Sequence, residues 1–314
     1  MTSYHNFIGI DIGKFNFVVA IYSQKETKEY ENTSTGILDF LKDYSELLNN
    51  SLCILETTGG YELPLLYTLC SKQIKVHRAD TRKVKSFIRS YGNAAKTDAL
   101  DAKALAKYGF ERHEQLAIFT PQSKRSLDLF ALVQRRCDLK QMLVAEKNRL
   151  KGPGGAAIKK SCTQMIKTIT LQIDSITAQI EALIAGDPIL AEKQKILKSI
   201  PGIGNIVAFE LLVLLPELGT LNRRKIASLA GLAPRANDSG KYQGYRKTGN
   251  GRKGIKPTLF LAAMAARNSK SDLGLKEFYE KLLSKGKKKM VALTALMRKI
   301  LVVANARLKS HLFA

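Results

Sequence analysis

The sequence predicts an α/β region at the N-terminus, then a long helical hairpin, then a mostly α C-terminal region. Three observations predict this order. Apolar, strand-like runs alternate with amphipathic helical patterns over residues 6–108. Residues 123–150 then contain neither Pro nor Gly, and apolar residues recur at spacings of three and four in the helix that follows. At 314 residues, the chain is long enough for two or three domains.

The N-terminal elements follow from the length and period of the apolar runs. Residues 6–12 and 17–22 are continuous apolar runs and 27–32 alternate, which predicts three antiparallel strands joined by short turns. The remaining predicted elements are helix 34–49, strand 52–56, helix 61–71, strand 74–77, helix 84–89 and helix 98–108. The expected order is therefore βββαβαβα, followed by a helix.

In the middle of the chain, the sequence predicts two helices joined at the turn Gly152-Pro153-Gly154-Gly155. The second helix carries a coiled-coil seam of Ile166, Ile169, Ile173, Ile176, Ile180 and Leu183. We predict an antiparallel hairpin. The seam alone leaves open whether the hairpin is an internal packing device or an arm that joins two copies of the chain.

The C-terminal region begins with Ile200-Pro201-Gly202-Ile203-Gly204 before an apolar helix. This pattern is typical of a helix-hairpin-helix, in which backbone N–H groups at a helix N-terminus bind a phosphate. A plain turn between helices explains it equally well.

Charge indicates the class of partner. The chain has 51 Lys and Arg against 27 Asp and Glu, a formal net charge of +24, which favours a polyanion such as nucleic acid. No stretch reaches the roughly 18 apolar residues of a membrane span, and no signal peptide is recognisable, so we expect a soluble, cytoplasmic protein without a membrane partner. Residues 241–256 combine basic residues with Tyr242, Tyr245 and glycines and contain no acid, which favours phosphate and base contacts over a merely solvated loop.

Four carboxylates form the candidate catalytic group. Asp11 lies inside an apolar strand, where a charge is costly without a cation or partner. Glu56 ends another apolar strand, and Asp98 and Asp101 share a helix face. Taken singly, Glu56 could be an exposed strand end and Asp98 a helix cap. Together they suit two Mg²⁺ or Mn²⁺ ions about 4 Å apart, the arrangement used for phosphodiester chemistry.

The segments Gly9-Ile10-Asp11-Ile12-Gly13-Lys14, Leu55-Glu56-Thr57-Thr58-Gly59-Gly60-Tyr61 and Lys96-Thr97-Asp98-Ala99-Leu100-Asp101-Ala102 resemble the signature of DEDD-type insertion-sequence transposases. These are relatives of the pilin-gene invertases. The resemblance implies a RuvC-like ribonuclease H fold in which Asp11, Glu56, Asp98 and Asp101 are the metal-binding, catalytic tetrad.

The resemblance extends to Ala230-Gly231-Leu232-Ala233-Pro234-Arg235 and Asn237-Asp238-Ser239-Gly240. It implies a catalytic domain at residues 1–115, a coiled-coil arm at 122–186 and a transposase domain at 194–314 with Ser239 as a second catalytic residue. It also implies DNA as substrate, a structured guide RNA, and a homodimer or a dimer of dimers. The expected nucleic-acid contacts are Arg235, Lys241, Arg246, Lys247, Arg252 and Lys253.

Two other functions compete with the transposase. A RuvC-like junction endonuclease would use water as the nucleophile, with Ser239 only a turn residue. A sugar kinase of the actin-like class has a similar first phosphate loop, but no convincing second loop follows it in this sequence. We therefore expect an enzyme that cuts and rejoins DNA.

Overall fold

The computed structural model describes residues 4–92, 97–269 and 274–312. The chain forms two compact units, Met1–Gln122 and Ser123–Ala314. The helical arm, predicted from the sequence as a part of its own, lies in the second unit.

The first unit is built on a five-stranded mixed sheet in the order β3-β2-β1-β4-β5. Its strands are β1 (Asn6–Ile12), β2 (Asn16–Ile21), β3 (Thr27–Glu31), β4 (Ser51–Glu56) and β5 (Lys75–Ala79). Strands β1, β2 and β3 pair antiparallel, whereas β4 is parallel to both β1 and β5. β1 and β4 form the buried centre of the sheet, which is why both read as nearly continuous apolar runs.

Helices cover both faces of this sheet. They are α1 (Ser34–Asp43), α2 (Ser45–Leu48), α3 (Leu63–Ser71), α4 (Thr81–Arg89) and α5 (Asp98–Arg112), followed by a 3₁₀ turn at His113–Gln115. One face packs Ile8 and Ile10 against Phe40 and Leu65. The other packs Phe7, Leu52 and Ile54 against Leu105 and Tyr108 of α5. The predicted α/β class is confirmed, while the RuvC-like ribonuclease H assignment stays a prediction.

The single helix predicted over residues 34–49 is wrong. The helix breaks at Tyr44, whose backbone leaves the helical region with φ −113°. Its ring contacts Phe40 and Tyr30, with centroids 5.4 and 6.5 Å apart. The aromatic contacts therefore accompany a kink that periodicity could not reveal.

The second unit begins with the two arm helices, α6 (Lys124–Lys151) and α7 (Ala156–Ala185), joined by the predicted glycine-rich turn. Ile169 and Ile173 of the predicted seam are buried against Leu139 of α6. Ile180 is buried in the main core of the unit. The helical hairpin is thus present, and the base of the arm belongs to the same core as the helices that follow.

The rest of the second unit is mostly helical, as predicted. Its elements are α8 (Pro188–Lys198), α9 (Asn205–Leu214), α10 (Arg223–Leu229), β6 (Asp238–Ser239), β7 (Tyr242–Gln243), α11 (Ile255–Ala266), α12 (Leu275–Ser284) and α13 (Lys289–Leu312). The turn between α8 and α9 needs Gly202, because φ is +86° there and a Cβ would lie 2.2 Å from the carbonyl oxygen of Ala262.

A buried polar link ties the arm to this core. Arg136 of α6 donates to Glu210 of α9 at 2.9 Å, and the Thr258 hydroxyl of α11 donates to the other Glu210 oxygen at 2.6 Å. Across the described ranges, no helix combines the length and the apolar character needed to cross a membrane.

Candidate active site

Asp11 and Glu56 come from neighbouring positions on adjacent strands. In the parallel pairing of β1 with β4, Ile10 lies opposite Leu55, and the two acids follow these residues directly. Side chains alternate along a strand, so Asp11 shares the face of Phe7, and Glu56 shares the face of Leu52 and Ile54. Both carboxylates therefore face α5 at the carboxyl end of the central strands. Both are half-buried, so Asp11 is less enclosed than its apolar run suggests.

Two glycines let α5 lie directly on this face. A Cβ at Gly9 would be 2.0 Å from the Ala102 carbonyl oxygen and 2.3 Å from the Ala106 nitrogen. At the other end of the helix, a Cβ at Gly109 would be 2.1 Å from the Ile54 side chain. The N-terminal turn of α5 is consequently at the same edge of the sheet as Asp11.

Asp98 and Asp101 lie in that N-terminal turn. The helix cap is Thr97, whose hydroxyl accepts a hydrogen bond from the Leu100 N–H at 3.2 Å. The alternative that Asp98 merely caps the helix is therefore wrong. Asp98 is exposed and Asp101 is half-buried, and both benefit from the helix dipole.

The donor set suits a hard divalent cation, because all four groups are carboxylates and share one face and one edge of the sheet. Within residues 4–92, 97–269 and 274–312, however, no three His, Cys, Asp or Glu side chains are drawn together as a ligand cluster. Among the described residues, no side-chain hydrogen bond or ion pair engages the carboxylates of Glu56, Asp98 or Asp101. The structure thus brings the three elements that carry the acids, β1, β4 and α5, to one edge of the sheet without gathering the four carboxylates into one cluster.

The loop after Glu56 is held by a residue that the motif analysis missed. Glu62 is fully buried and accepts hydrogen bonds from the backbone N–H groups of Thr58 (3.2 Å) and Gly60 (2.9 Å). Arg78 at the end of β5 donates to the other Glu62 oxygen from Nε at 3.2 Å and from Nη2 at 2.5 Å. Burial acts to raise the pKa of Glu62, but the hydrogen bonds from Arg78 and the loop outweigh it and lower the pKa.

Asn32, also missed, joins the two loops that follow the acids. Its side-chain amide donates to the Gly13 carbonyl at 3.1 Å and to the Tyr61 carbonyl at 3.0 Å. The first carbonyl follows Asp11 and the second follows Glu56 along the chain. One half-buried side-chain amide therefore links the two loops that follow the strand ends. An Asn at the end of a strand gives no sequence signal of such a role.

Ser239 lies in the second unit, near the tip of a short β-hairpin. It pairs with Tyr242, and Asp238 pairs with Gln243. Gly240, the first residue of the two-residue turn, has φ +53°, as in a type II′ turn. The serine and its neighbours are exposed. The basic segment 241–256 therefore begins with one strand of the hairpin that presents Ser239.

The base of this hairpin is anchored to the apolar core. Gly231 and Gly251 meet backbone to backbone, because a Cβ at Gly251 would lie 2.2 Å from the Gly231 nitrogen. Arg252 donates to both oxygens of Glu217 at 2.9 and 2.7 Å and to the Leu214 carbonyl at 2.8 Å. Burial acts to raise the pKa of Glu217, and the hydrogen bonds from Arg252 lower it overall. The guanidinium of Arg252 is thus already engaged within the unit.

The other basic candidates are on the hairpin surface. Arg235, Lys241, Lys247 and Lys253 are exposed, and the backbone of Arg235 bridges to that of Lys247. Arg246 forms an ion pair with Asp238 at 2.8 Å. This ion pair lies beside Ser239 and keeps the guanidinium of Arg246 at the hairpin.

Two family models match the chain. A DEDD-type model described as "Transposase" matches residues 8–152, and one described as "Transposase IS116/IS110/IS902 family" matches residues 194–280. The chain belongs to the IS110 family of transposases. The first match includes the four carboxylates, and the second includes Ser239 and the basic candidates. The family resemblance seen in the motifs is therefore confirmed, and with it a DNA-cutting activity.

The curated relatives agree with this membership. The chain is 28% identical over 313 residues to the pilin gene-inverting proteins of Moraxella lacunata and Moraxella bovis, covering 97% of this chain and 96% of each relative. The likeness therefore extends along nearly the whole length of this chain. The family models leave the whole of α7 and the whole of α13 outside their limits.

Proposed function

We propose that this IS110-family transposase exchanges DNA strands with the four carboxylates as its metal-binding group and Ser239 as its nucleophile. The observation that carries the proposal is the adjacent placement of Asp11 and Glu56 at the strand ends, with α5 held over them by Gly9. Asp11, Glu56, Asp98 and Asp101 would hold two Mg²⁺ or Mn²⁺ ions. Such ions stabilise the charge that develops on phosphate oxygens during phosphoryl transfer.

The chain's own residues have separate tasks in this proposal. Glu62 and Asn32 position the loops that follow Glu56 and Asp11. The Ser239 hydroxyl gives up its proton and attacks phosphorus, forming a Ser–O–P bond while one P–O bond to a deoxyribose breaks and the released sugar oxygen takes a proton. Its exposure at a hairpin tip suits attack on a large substrate.

The basic hairpin would hold the phosphates. Arg235, Lys241, Lys247 and Lys253 are exposed there, and Arg246 could exchange its partner Asp238 for a phosphate. Arg252 would act indirectly, by fixing the base of the hairpin. The glycine turn before α9 offers a further backbone phosphate contact.

Two partners belong to the proposal besides DNA. A structured guide RNA would use the same excess of positive charge, +24 over the chain. A homodimer, or a dimer of dimers, would be joined through the arm. Exposed apolar side chains on the arm favour this: Met142, Val144, Ile158, Met165 and Leu171.

A junction endonuclease remains the second candidate. Asn-Asp-Ser-Gly is ordinary turn chemistry, and Ser239 makes a β-bridge within a tight turn. In that case water attacks phosphorus, and Ser239 has only a structural role in the hairpin.

The deciding experiment uses purified protein, Mg²⁺, labelled DNA with the element's ends and its flanking transcribed RNA. Recombined product and protein covalently attached to DNA are both measured. We expect the wild type to form both, Asp11→Ala to lose both by at least about 100-fold, and Ser239→Ala to lose the covalent species. Matched controls are Asp39→Asn and Ser161→Ala, both exposed residues on helices away from the two candidate sites. A fully active Ser239→Ala variant beside an inactive Asp11→Ala variant would establish the endonuclease instead.

A further inference from the structure

A large cavity lies beside the basic hairpin in the second unit. Its volume is about 1270 Å³, and it is bounded by residues 243–248 on one side and by α13 on the other. Pockets for single small molecules measure about 300–1,000 Å³. The cavity therefore has room for a short stretch of a polymer.

The cavity has an apolar part. Phe278 of α12 and Met290, Val291, Val302 and Val303 of α13 line it. Met290 is 59% exposed and Val291 is 38% exposed. Apolar side chains left open in a concave surface indicate a ligand with an apolar face.

The cavity also has a basic part. Five of its lining residues are cationic, and none of the described lining residues is acidic: Arg246, Lys247, Lys287, Arg298 and Lys299. Two of them are engaged, since Arg246 pairs with Asp238 and Lys299 donates to the Gly274 carbonyl at 3.1 Å. Lys247 and Lys287 are exposed. A ligand that suits this cavity is apolar on its faces and anionic at its edge.

An aromatic ring also lines the cavity. Tyr245 is part of the lining and is 69% exposed. Tyr242, on the same hairpin, is 63% exposed but is not part of the lining. The two tyrosines differ mainly in their position relative to the cavity, so they form a matched pair.

We propose that this cavity holds unpaired nucleotides, with the bases against the apolar side chains and Tyr245 and the phosphates at the basic side chains. An intact duplex presents charged backbone and keeps its base faces stacked, so it would leave the apolar side chains without a partner. The proposal deepens the proposed function, on which it rests, by naming a single-stranded segment of the nucleic acid as the occupant. The segment can come from RNA or from melted DNA.

The absence of tryptophan from the sequence allows a direct test. The Tyr245→Trp and Tyr242→Trp variants each carry one indole. Each is titrated with a short single-stranded DNA, the RNA of the same sequence, and the matching DNA duplex, in EDTA so that no cleavage occurs. We expect single strands to change the emission of the Tyr245→Trp variant at least threefold more than that of the Tyr242→Trp variant, and the duplex to leave it unchanged. Equal responses of the two variants, or a response to duplex alone, would overturn the proposal.

Affinity supplies a second readout. Tyr245→Ala should weaken single-strand binding about tenfold, because stacking on an aromatic ring is lost, while Tyr242→Ala should change it less than about twofold. Arg298→Glu should weaken binding, whereas Lys289→Glu, an exposed position of α13 outside the cavity, serves as its charge-matched control. Circular dichroism checks that each variant is folded.

The separate titrations distinguish the possible occupants of the cavity. Tighter binding of RNA assigns the cavity to a guide strand, and tighter binding of DNA assigns it to a melted substrate strand. Emission of the Tyr245→Trp variant that changes with protein concentration alone would overturn the proposal in favour of a second copy of the chain. Because no metal or cleavage is involved, loss of activity in Asp11→Ala or Ser239→Ala leaves this result unaffected.

Discussion

The carboxylate edge of the first unit and the basic hairpin of the second unit are held by different forces. At the carboxylate edge, the acids follow buried strands, a helix lies against a backbone glycine, and a fully buried Glu62 holds the loop. The hairpin has two-residue strands and exposed side chains, and it is secured mainly at its base by Arg252 and Glu217. The first site should therefore be sensitive to packing, and the second to charge and salt.

This difference matches what each site would have to do. Metal-binding carboxylates need fixed positions, which close backbone packing provides. A surface that holds a long polyanion gains from several separate charges, each of which contributes little. Substitutions should therefore separate the two sites by the size and kind of their effects.

The largest effect on stability should come from Gly9→Ala. The new Cβ would meet backbone atoms of α5 at 2.0 and 2.3 Å, which cannot rotate away, so we expect a loss of about 3 kcal/mol in the free energy of unfolding. Urea unfolding measures this loss, and hydrogen exchange of β1 and α5 shows whether it arises where the two elements pack. Gly13→Ala is the control, because its Cβ would only approach the Asn16 carbonyl to 3.1 Å. Equal losses in the two variants would show that α5 does not depend on Gly9.

Glu62→Gln should have the next largest effect, about 2 kcal/mol, because it removes the charge of a fully buried carboxylate that pairs with the partly exposed Arg78, and because it weakens the loop's hydrogen bonds. The pKa of Glu62 is lowered in the folded protein from its usual 4.5. Its ionised form therefore stabilises the fold above about pH 4.5, and this contribution is lost as the pH falls through the lowered pKa. The gap in unfolding free energy between wild type and variant should accordingly shrink below pH 4. A difference in unfolding free energy that stays constant from pH 7 to pH 3 would contradict this prediction.

Arg252→Gln should destabilise the second unit by about 1 kcal/mol, since its ion pair with Glu217 is partly exposed. Lys253→Gln, at the exposed neighbouring position, should leave unfolding nearly unchanged. Thermal unfolding compares the two variants. The opposite order would mean that Arg252 contributes to binding and not to the anchoring of the hairpin.

Lys241→Gln should produce the smallest change. Its side chain is exposed at the hairpin turn, so stability should change by less than about 0.5 kcal/mol. The slope of log affinity for DNA against log salt concentration should fall by about one, the effect of one phosphate contact. Filter binding at several salt concentrations measures the slope, and an unchanged slope removes Lys241 from the interface.

Much of the fold was predictable because burial in the centre of a sheet leaves a clear apolar pattern. β1 and β4 were predicted from such runs, and the arm helices from a stretch without Pro or Gly. The kink at Tyr44 was not predictable, since its accompanying partner Tyr30 comes from a strand. Glu62 and Asn32 were missed for the same reason, because their roles depend on groups that lie far away along the chain.

By itself, the sequence determined the family, the α/β and helical regions, and which carboxylates are candidates, because these rest on local patterns and short motifs. Only the tertiary structure decided that Asp11 and Glu56 are neighbours across parallel strands, that Thr97 caps α5, and that Arg252 is engaged with Glu217. It also formed the cavity with apolar and basic lining residues between the hairpin and α13. Apart from the local cap at Thr97, these features join residues that are distant in the chain, and only the packing of the folded protein brings such residues together.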